Sequence, residues 1–154
     1  MRIIEVSPED ARLRRLFAVH KAYSRAHTPG GGGHAVASGA DLSGYRYWIV
    51  LDAADVLGCV GMKPITPSHM ELKSMHVREE ARGRGLGGRL VGTLLAAARE
   101  AGYARVSLET HPGEGFAASR RLYARHGFEP CEPFGHYTDD SASYCMTLCL
   151  QGFT

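Results

Sequence analysis

The chain has 154 residues, enough for one domain with a sizeable core and too few for two ordinary ones. Charged residues make up 22% and apolar residues 44%, which excludes a mainly disordered chain, and a net charge of +2 is too small to indicate nucleic-acid binding by itself. Fifteen of the 18 basic residues are arginine and they gather at 78–89 and 120–125, so the charge is local and suits a small anion.

In chain order, "RIIEV" at 2–6 reads as a short strand. Ser7 then suits a helix cap, with Pro8 at the first position, Glu9 and Asp10 at the positive end, and Leu13, Leu16, Phe17 and His20 on one face. Residues 27–45 are glycine-rich and aperiodic, a loop or a lid over a substrate. "RYWIVLD", "VLGCVGMKPIT" and "HMELKSMHV" are strands joined by short turns, hence an antiparallel meander. Leu86, Leu90, Val91, Leu94, Leu95 and Ala98 recur at helical spacing and Gly102 ends that helix. "ARVSLET" follows as a strand, and a strand, crossover helix and strand place the two strands parallel and adjacent. "GFAASRRLYARHGF" is a further helix stopped by Gly127, and "SYCMTLCL" a closing strand. The expected fold is a single α/β domain over 1–154, a mixed sheet with antiparallel N-terminal strands, a parallel central pair and helices on both faces.

No stretch approaches the roughly 18 uninterrupted apolar residues of a membrane span, and the start lacks the apolar core and cleavage site of a leader, so a cytoplasmic protein with no membrane partner is expected. Cys59, Cys131, Cys145 and Cys149 contain no C-x-x-C pair and read as buried free thiols. The eight histidines form no compact ligand pattern, and no metal is expected.

The chemistry concentrates in "EARGRGLGGRL", residues 80–90. Gly83, Gly85 and Gly88 satisfy G-x-G-x-x-G, with Glu109 downstream, as in a dinucleotide fingerprint. In such a fold, however, the first glycine follows its strand almost at once, whereas "REEAR" separates Val77 from Gly83. No Lys-Ser or Lys-Thr follows, which removes a nucleoside triphosphate loop. An anion cradle needs converging backbone amides, glycines that admit phosphate oxygens and a helix start, and residues 82–88 have the composition for all three. Arg82, Arg84 and Arg89 add charge at its rim. A glycine turn with no ligand is the bland alternative.

At this point the chain resembles the GNAT family of N-acetyltransferases. The run Arg82, Gly83, Arg84, Gly85, Leu86, Gly87 is similar to the family's pyrophosphate loop for coenzyme A, and "RRLYARHGF" at 120–128 to its second hallmark. The resemblance is detailed from about 69 to 132, and the C-terminal third looks like a branch of uncharacterised bacterial members. Phe116 stands where many members have Asn, and His111 where relatives in the branch often have Gly.

The resemblance implies acetyl-CoA as cosubstrate, with the loop 82–88, including Gly88, on its pyrophosphate. It implies that the strand ending at Val77 splays from "RVSLE", offering the backbone of Met75, His76 and Val77 to the pantetheine arm. Ser119 would reach the coenzyme, Tyr123 would be the general acid for the departing thiolate, and Glu71 a general base acting through water. His111 faces the acceptor channel as a second candidate base, and Phe134 and Tyr137 line the acceptor side, with Asp139 and Asp140 nearby. The activity implied is direct acetyl transfer in a ternary complex to a primary amine of a small molecule or peptide, without a nucleic-acid partner and with a homodimer left open. The rival readings are a noncatalytic acyl-CoA sensor and an arginine-patch nucleic-acid binder.

Overall fold

The computed structural model describes residues 1–18, 42–135 and 143–150. The chain opens with β1 (Arg2–Val6) and a helix, α1, described over 11–18. The expected cap at Ser7 is displaced by three residues. Asp10 Oδ1 accepts the Arg12 amide at 2.8 Å and the first helical bond is Arg14 N to Asp10 O at 3.0 Å. Ser7 instead accepts the Asp10 amide on its carbonyl, closing a turn that holds Pro8 and Glu9 before the helix.

β2 (Arg46–Asp52), β3 (Asp55–Thr66) and β4 (His69–Val77) continue from β1 as an antiparallel meander. α2 (Leu86–Glu100) crosses over to β5 (Arg105–Thr110), which lies parallel to β4. After α3 (Ala117–Arg125), the two-residue β6 (Glu129–Pro130) and β7 (Tyr144–Cys149) complete a seven-stranded sheet in the order β1-β2-β3-β4-β5-β7-β6. The mixed α/β architecture is as expected; β6 was not anticipated, because two residues containing a proline carry no strand signal.

Strand alternation sorts the side chains. Val60, Met62, Met70, Leu72, Val106, Leu108 and Met146 point to one face and form a single core with Leu86, Leu90, Val91, Leu94, Leu95 and Ala98 of α2. Each fully buried Leu, Val or Met there contributes about 1.5–3 kcal/mol, which holds the start of α2 against β4. On the other face Leu13 and Leu16 of α1 cover Tyr47, Ile49, Leu51 and Cys59. The expectation of four buried thiols holds for Cys59 and Cys145 only: Cys131 is half-buried and Cys149, at the C-terminal end of β7 opposite Arg105, is exposed. No helix among the described residues is long and apolar enough to cross a membrane.

Two features of β4 shape the region around its C-terminal end. Its pairing with β5 runs only from His69↔Arg105 to Leu72↔Leu108; beyond that β4 continues along β3 to Val77 while β5 follows β7 to Thr110. Between Lys73 and His76, β4 also inserts Ser74 and Met75 where β3 has only Val60, and Ser74 takes a left-handed φ of 56°. Such a bulge bends a strand and tightens its twist.

Candidate active site

From the end of β4 the chain makes one 3-10 turn, Glu79–Ala81, passes through extended Arg82 and enters α2. Gly83 and Gly85 have φ of 81° and 76°, a region that costs other L-residues roughly 1–2 kcal/mol. A Cβ on either would meet nothing within 4 Å, so backbone conformation, not crowding, calls for glycine, and the space before them is open. Gly87 is different: a Cβ there would lie 2.9 Å from Leu122 Cδ2 and 3.2 Å from Met75 Cε, where α2, α3 and β4 meet. At Gly88 the nearest atom, His126 Cε1, is at an ordinary 3.7 Å.

The first helical bond of α2 is Arg89 N to Gly85 O, at 3.2 Å, so the amides of Leu86, Gly87 and Gly88 precede the ladder at the positive end of the helix dipole. Leu86 contributes only its backbone, since its side chain is buried in the core. Arg82 Nε donates to Val77 O at 3.0 Å and ties the turn to the end of β4, which spends the Val77 carbonyl. Arg84 lies 3.7 Å from Asp52 across exposed surface, and Arg89 is exposed, so both stand at the rim.

Beside the parted strands, Met75 and Val77 pack against the apolar core and the His76 side chain is buried. Tyr123, on α3, belongs to the same core and meets Phe128 edge-on at 5.9 Å. Burial raises its phenol above the ordinary value, so the proton stays on at neutral pH. Ser119 is half-buried one helical turn earlier, on the Tyr123 side of α3.

The face of the sheet opposite α2 is polar across β4, β5 and β7. Glu71 is 3% exposed and stands opposite Lys63 on β3 and Ser107 on β5. His69 Nε2 lies 2.7 Å from Ser107 Oγ, which lies 2.9 Å from Thr147 Oγ1, which accepts from Arg105 at 3.0 Å. Burial and then Arg105 lower the His69 pKa, with Glu71 opposing. Burial likewise lowers the half-buried Lys73 ammonium, with Glu71 opposing. Phe134 reaches this face, its ring 5.8 Å from His69, while Tyr137, Asp139 and Asp140 lie outside the described residues.

His111 is not part of that cluster. It lies four residues beyond Ser107, roughly 13 Å along the chain at about 3.3 Å per residue. Its Nδ1 accepts the Gly113 amide at 2.8 Å, so the neutral ring carries its proton on Nε2 and has no lone pair to spare for a substrate proton. Arg120 fastens the same loop by donating to the carbonyls of His111 and Gly113 at 2.6 and 2.9 Å. Sequence reasoning missed His69, Lys73, Ser107 and Thr147. The signal was the polar residue at every second place in "HMELK" and "RVSLE".

The pattern of the Acetyltransferase (GNAT) family matches residues 15–128. The chain belongs to that family. Membership makes it an acyltransferase. It is 33% identical over 104 residues to the uncharacterized N-acetyltransferase YsnE of Bacillus subtilis (strain 168), covering 68% of this chain and 69% of that one. It is 35% identical over 104 residues to the uncharacterized N-acetyltransferase YedL of Escherichia coli (strain K12), covering 68% of this chain and 65% of that one. Among solved structures, an acyl-CoA N-acyltransferase assignment from Klebsiella pneumoniae subsp. pneumoniae MGH 78578 superposes with a TM-score of 0.83 at 23% identity over 97% of both chains. A GNAT family acetyltransferase from Elizabethkingia anophelis with acetyl-CoA bound superposes at 0.69 with 14% identity, again over 97% of both. At these identities the two structures speak to the fold alone.

Proposed function

We propose that the chain is an acetyl-CoA-dependent N-acetyltransferase, one transferase domain over 1–154, that moves the acetyl group to a primary amine of a small molecule or peptide by direct transfer in a ternary complex. The observation that carries this reading is the parting of β4 from β5 beyond Leu72 and Leu108, at whose mouth a helix starts behind two left-handed glycines facing open space. Coenzyme A combines a pyrophosphate, which suits a helix start, with an extended amide-bearing arm, which suits a strand edge. The amides of Leu86, Gly87 and Gly88 with Gly83 and Gly85 would hold the pyrophosphate, and Arg82, Arg84 and Arg89 would screen it. The backbone of Met75, His76 and Val77 would hold the arm, with the Val77 carbonyl already engaged, and Ser119 would border it. When bound, acetyl-CoA supplies the activated acyl group.

Tyr123, protonated at Oη, would deliver that proton to the departing thiolate. Glu71 takes a proton from the acceptor ammonium through water, since the amine attacks only when neutral. His111, whose Nδ1 is occupied, is left a binding role with Phe134 and Tyr137. Direct transfer is supported at the two buried thiols, where burial pushes Cys59 up to about 12 and Cys145 to about 11, which disfavours an acyl-enzyme on either. The test is thiol release from acetyl-CoA across a panel of amines, amino acids, polyamines and peptides. Release with at least one acceptor is expected. Binding of acetyl-CoA without release in any arm would make the chain an acyl-CoA sensor, and no binding would overturn the reading.

A further inference from the structure

The face of the sheet opposite α2 holds two hydrogen-bond donors that the transfer chemistry does not use, one in the apolar cluster beneath α1 and one on the polar part beside it. Tyr47 on β2 and Lys73 on β4 are the two Cα partners of Gly61, so the three form one row across the sheet. The Tyr47 ring lies across Gly61: a Cβ there would collide with Cε1 and come within 3.2 Å of Cζ. The phenol therefore passes over β3 in the direction of Lys73. Tyr47 is 0% exposed and its Oη has no hydrogen-bond partner among the described residues, a state native proteins rarely leave unexplained. Among the described residues no carboxylate forms an ion pair with Lys73, although burial disfavours its charge.

A buried phenol with no hydrogen bond and a half-buried ammonium with no ion pair among the described residues stand on one row and call for the same complement, a negatively charged oxygen pair. Glu71 lies two residues from Lys73 on the same face, with Lys63 and Glu109 around it. Two acids and two bases cancel there, which suits a zwitterion better than an anion or a polyamine. We propose that the acceptor is an amino acid or amino-acid-like compound, its carboxylate held by the Lys73 ammonium and the Tyr47 hydroxyl and its amine placed at Glu71. This rests on the acetyltransferase reading and adds the substrate class and two specificity-determining residues.

The experiment compares thiol release from acetyl-CoA with matched triplets, each an amino acid, its carboxamide and its decarboxylated amine, across several side-chain types. Wild type should favour the amino acid in kcat/KM by at least about tenfold, since a site built for a polar group rejects the analogue that lacks it. Lys73→Met should raise KM for the amino acid by about tenfold or more, leave the decarboxylated amine within about twofold and leave KM for acetyl-CoA unchanged. Tyr47→Phe should do the same more weakly. Lys73→Gln, with melting temperatures for all variants, guards against misfolding. Preference for the carboxamide or the amine, or equal loss with all three acceptors in Lys73→Met and Lys73→Gln, would overturn the proposal while leaving acetyl transfer intact. If no acceptor released thiol, the transferase reading would fall, and calorimetric binding of each triplet member in the presence of coenzyme A would still decide the carboxylate preference.

Discussion

The lower and upper ends of the β4–β5 pair are built from the same two strands and behave oppositely. From His69 to Leu72 the strands are zipped, and their polar side chains find one another: His69, Ser107 and Thr147 form a continuous hydrogen-bonded chain. Above Leu72 the strands diverge, and Lys73 lacks an ion pair among the described residues. A sheet that closes satisfies its own groups, and one that opens leaves groups for water, side chains or a ligand to satisfy. The zipped end should therefore govern stability and the open end binding and rate.

The largest expected effect lies at the open end. Gly85→Asp places a side chain at φ 76° and a negative charge at the helix start, and should lower coenzyme A affinity by more than about a hundredfold by calorimetry. Gly88→Ala, whose Cβ meets only ordinary contacts, should bind within about threefold of wild type. Equal affinities for Gly85→Asp and wild type would move the pyrophosphate elsewhere. Next, Tyr123→Phe should lower kcat by about 10²- to 10⁴-fold with KM for acetyl-CoA unchanged, because the ring stays and the proton goes. Unaltered turnover with the best acceptor would remove Tyr123 from the chemistry.

Glu71→Gln tests the boundary, since Glu71 belongs to the zipped segment but is assigned to catalysis. Its deficit should be about tenfold to a hundredfold near neutral pH and shrink as pH rises and the acceptor deprotonates itself, sooner for the less basic amine. A deficit that ignores pH and acceptor basicity, with a lowered melting temperature, would assign Glu71 to the fold alone.

The smallest effects belong to the zipped end. Ser107→Ala should cost about 1–2 kcal/mol by leaving His69 and Thr147 short of a partner, a fall of about 2–8 °C in Tm, with coenzyme affinity unchanged. His69 adds a pH signature. Its folded pKa is lowered from 6.5, so the unfolded chain binds the proton first; the stability it contributes is present above 6.5 and lost as the pH falls toward the folded value. Melting temperatures of wild type and His69→Gln between pH 7.5 and 5 should show a shallower decline in the variant.

The elements with strong periodicity were legible from the residues. "RYWIVLD" and "HMELKSMHV" form strands with the bounds read from alternation, and Leu86 to Ala98 bury the predicted stripe. The glycine turn ahead of α2 was legible because clustered glycines before a helical stripe signal a tight turn, and Gly83 and Gly85 indeed take left-handed φ there. What escaped depends on competition or on distance. Ser7 and Asp10 are both good caps, and only the turn closed by Asp10 N decides between them. Ser74 carries no composition signal for a positive φ; the demand comes from β3 beside it. Tyr47 over Gly61 joins residues on different strands, which no local spacing encodes.

Ser74 also bears on numbering and direction together. His69, Glu71 and Lys73 occupy the polar face, yet Met75 and Val77, also odd-numbered, pack against the apolar core. One surplus residue has exchanged odd for even. Excising Ser74 would thus return β4 to plain alternation with every remaining side chain on the face it already occupies, because the residue after Lys73 would simply be Met75. The strand would lose only its detour. Which face each side chain takes and which way the strand heads are separable properties of β4, and the parting from β5 depends on the second.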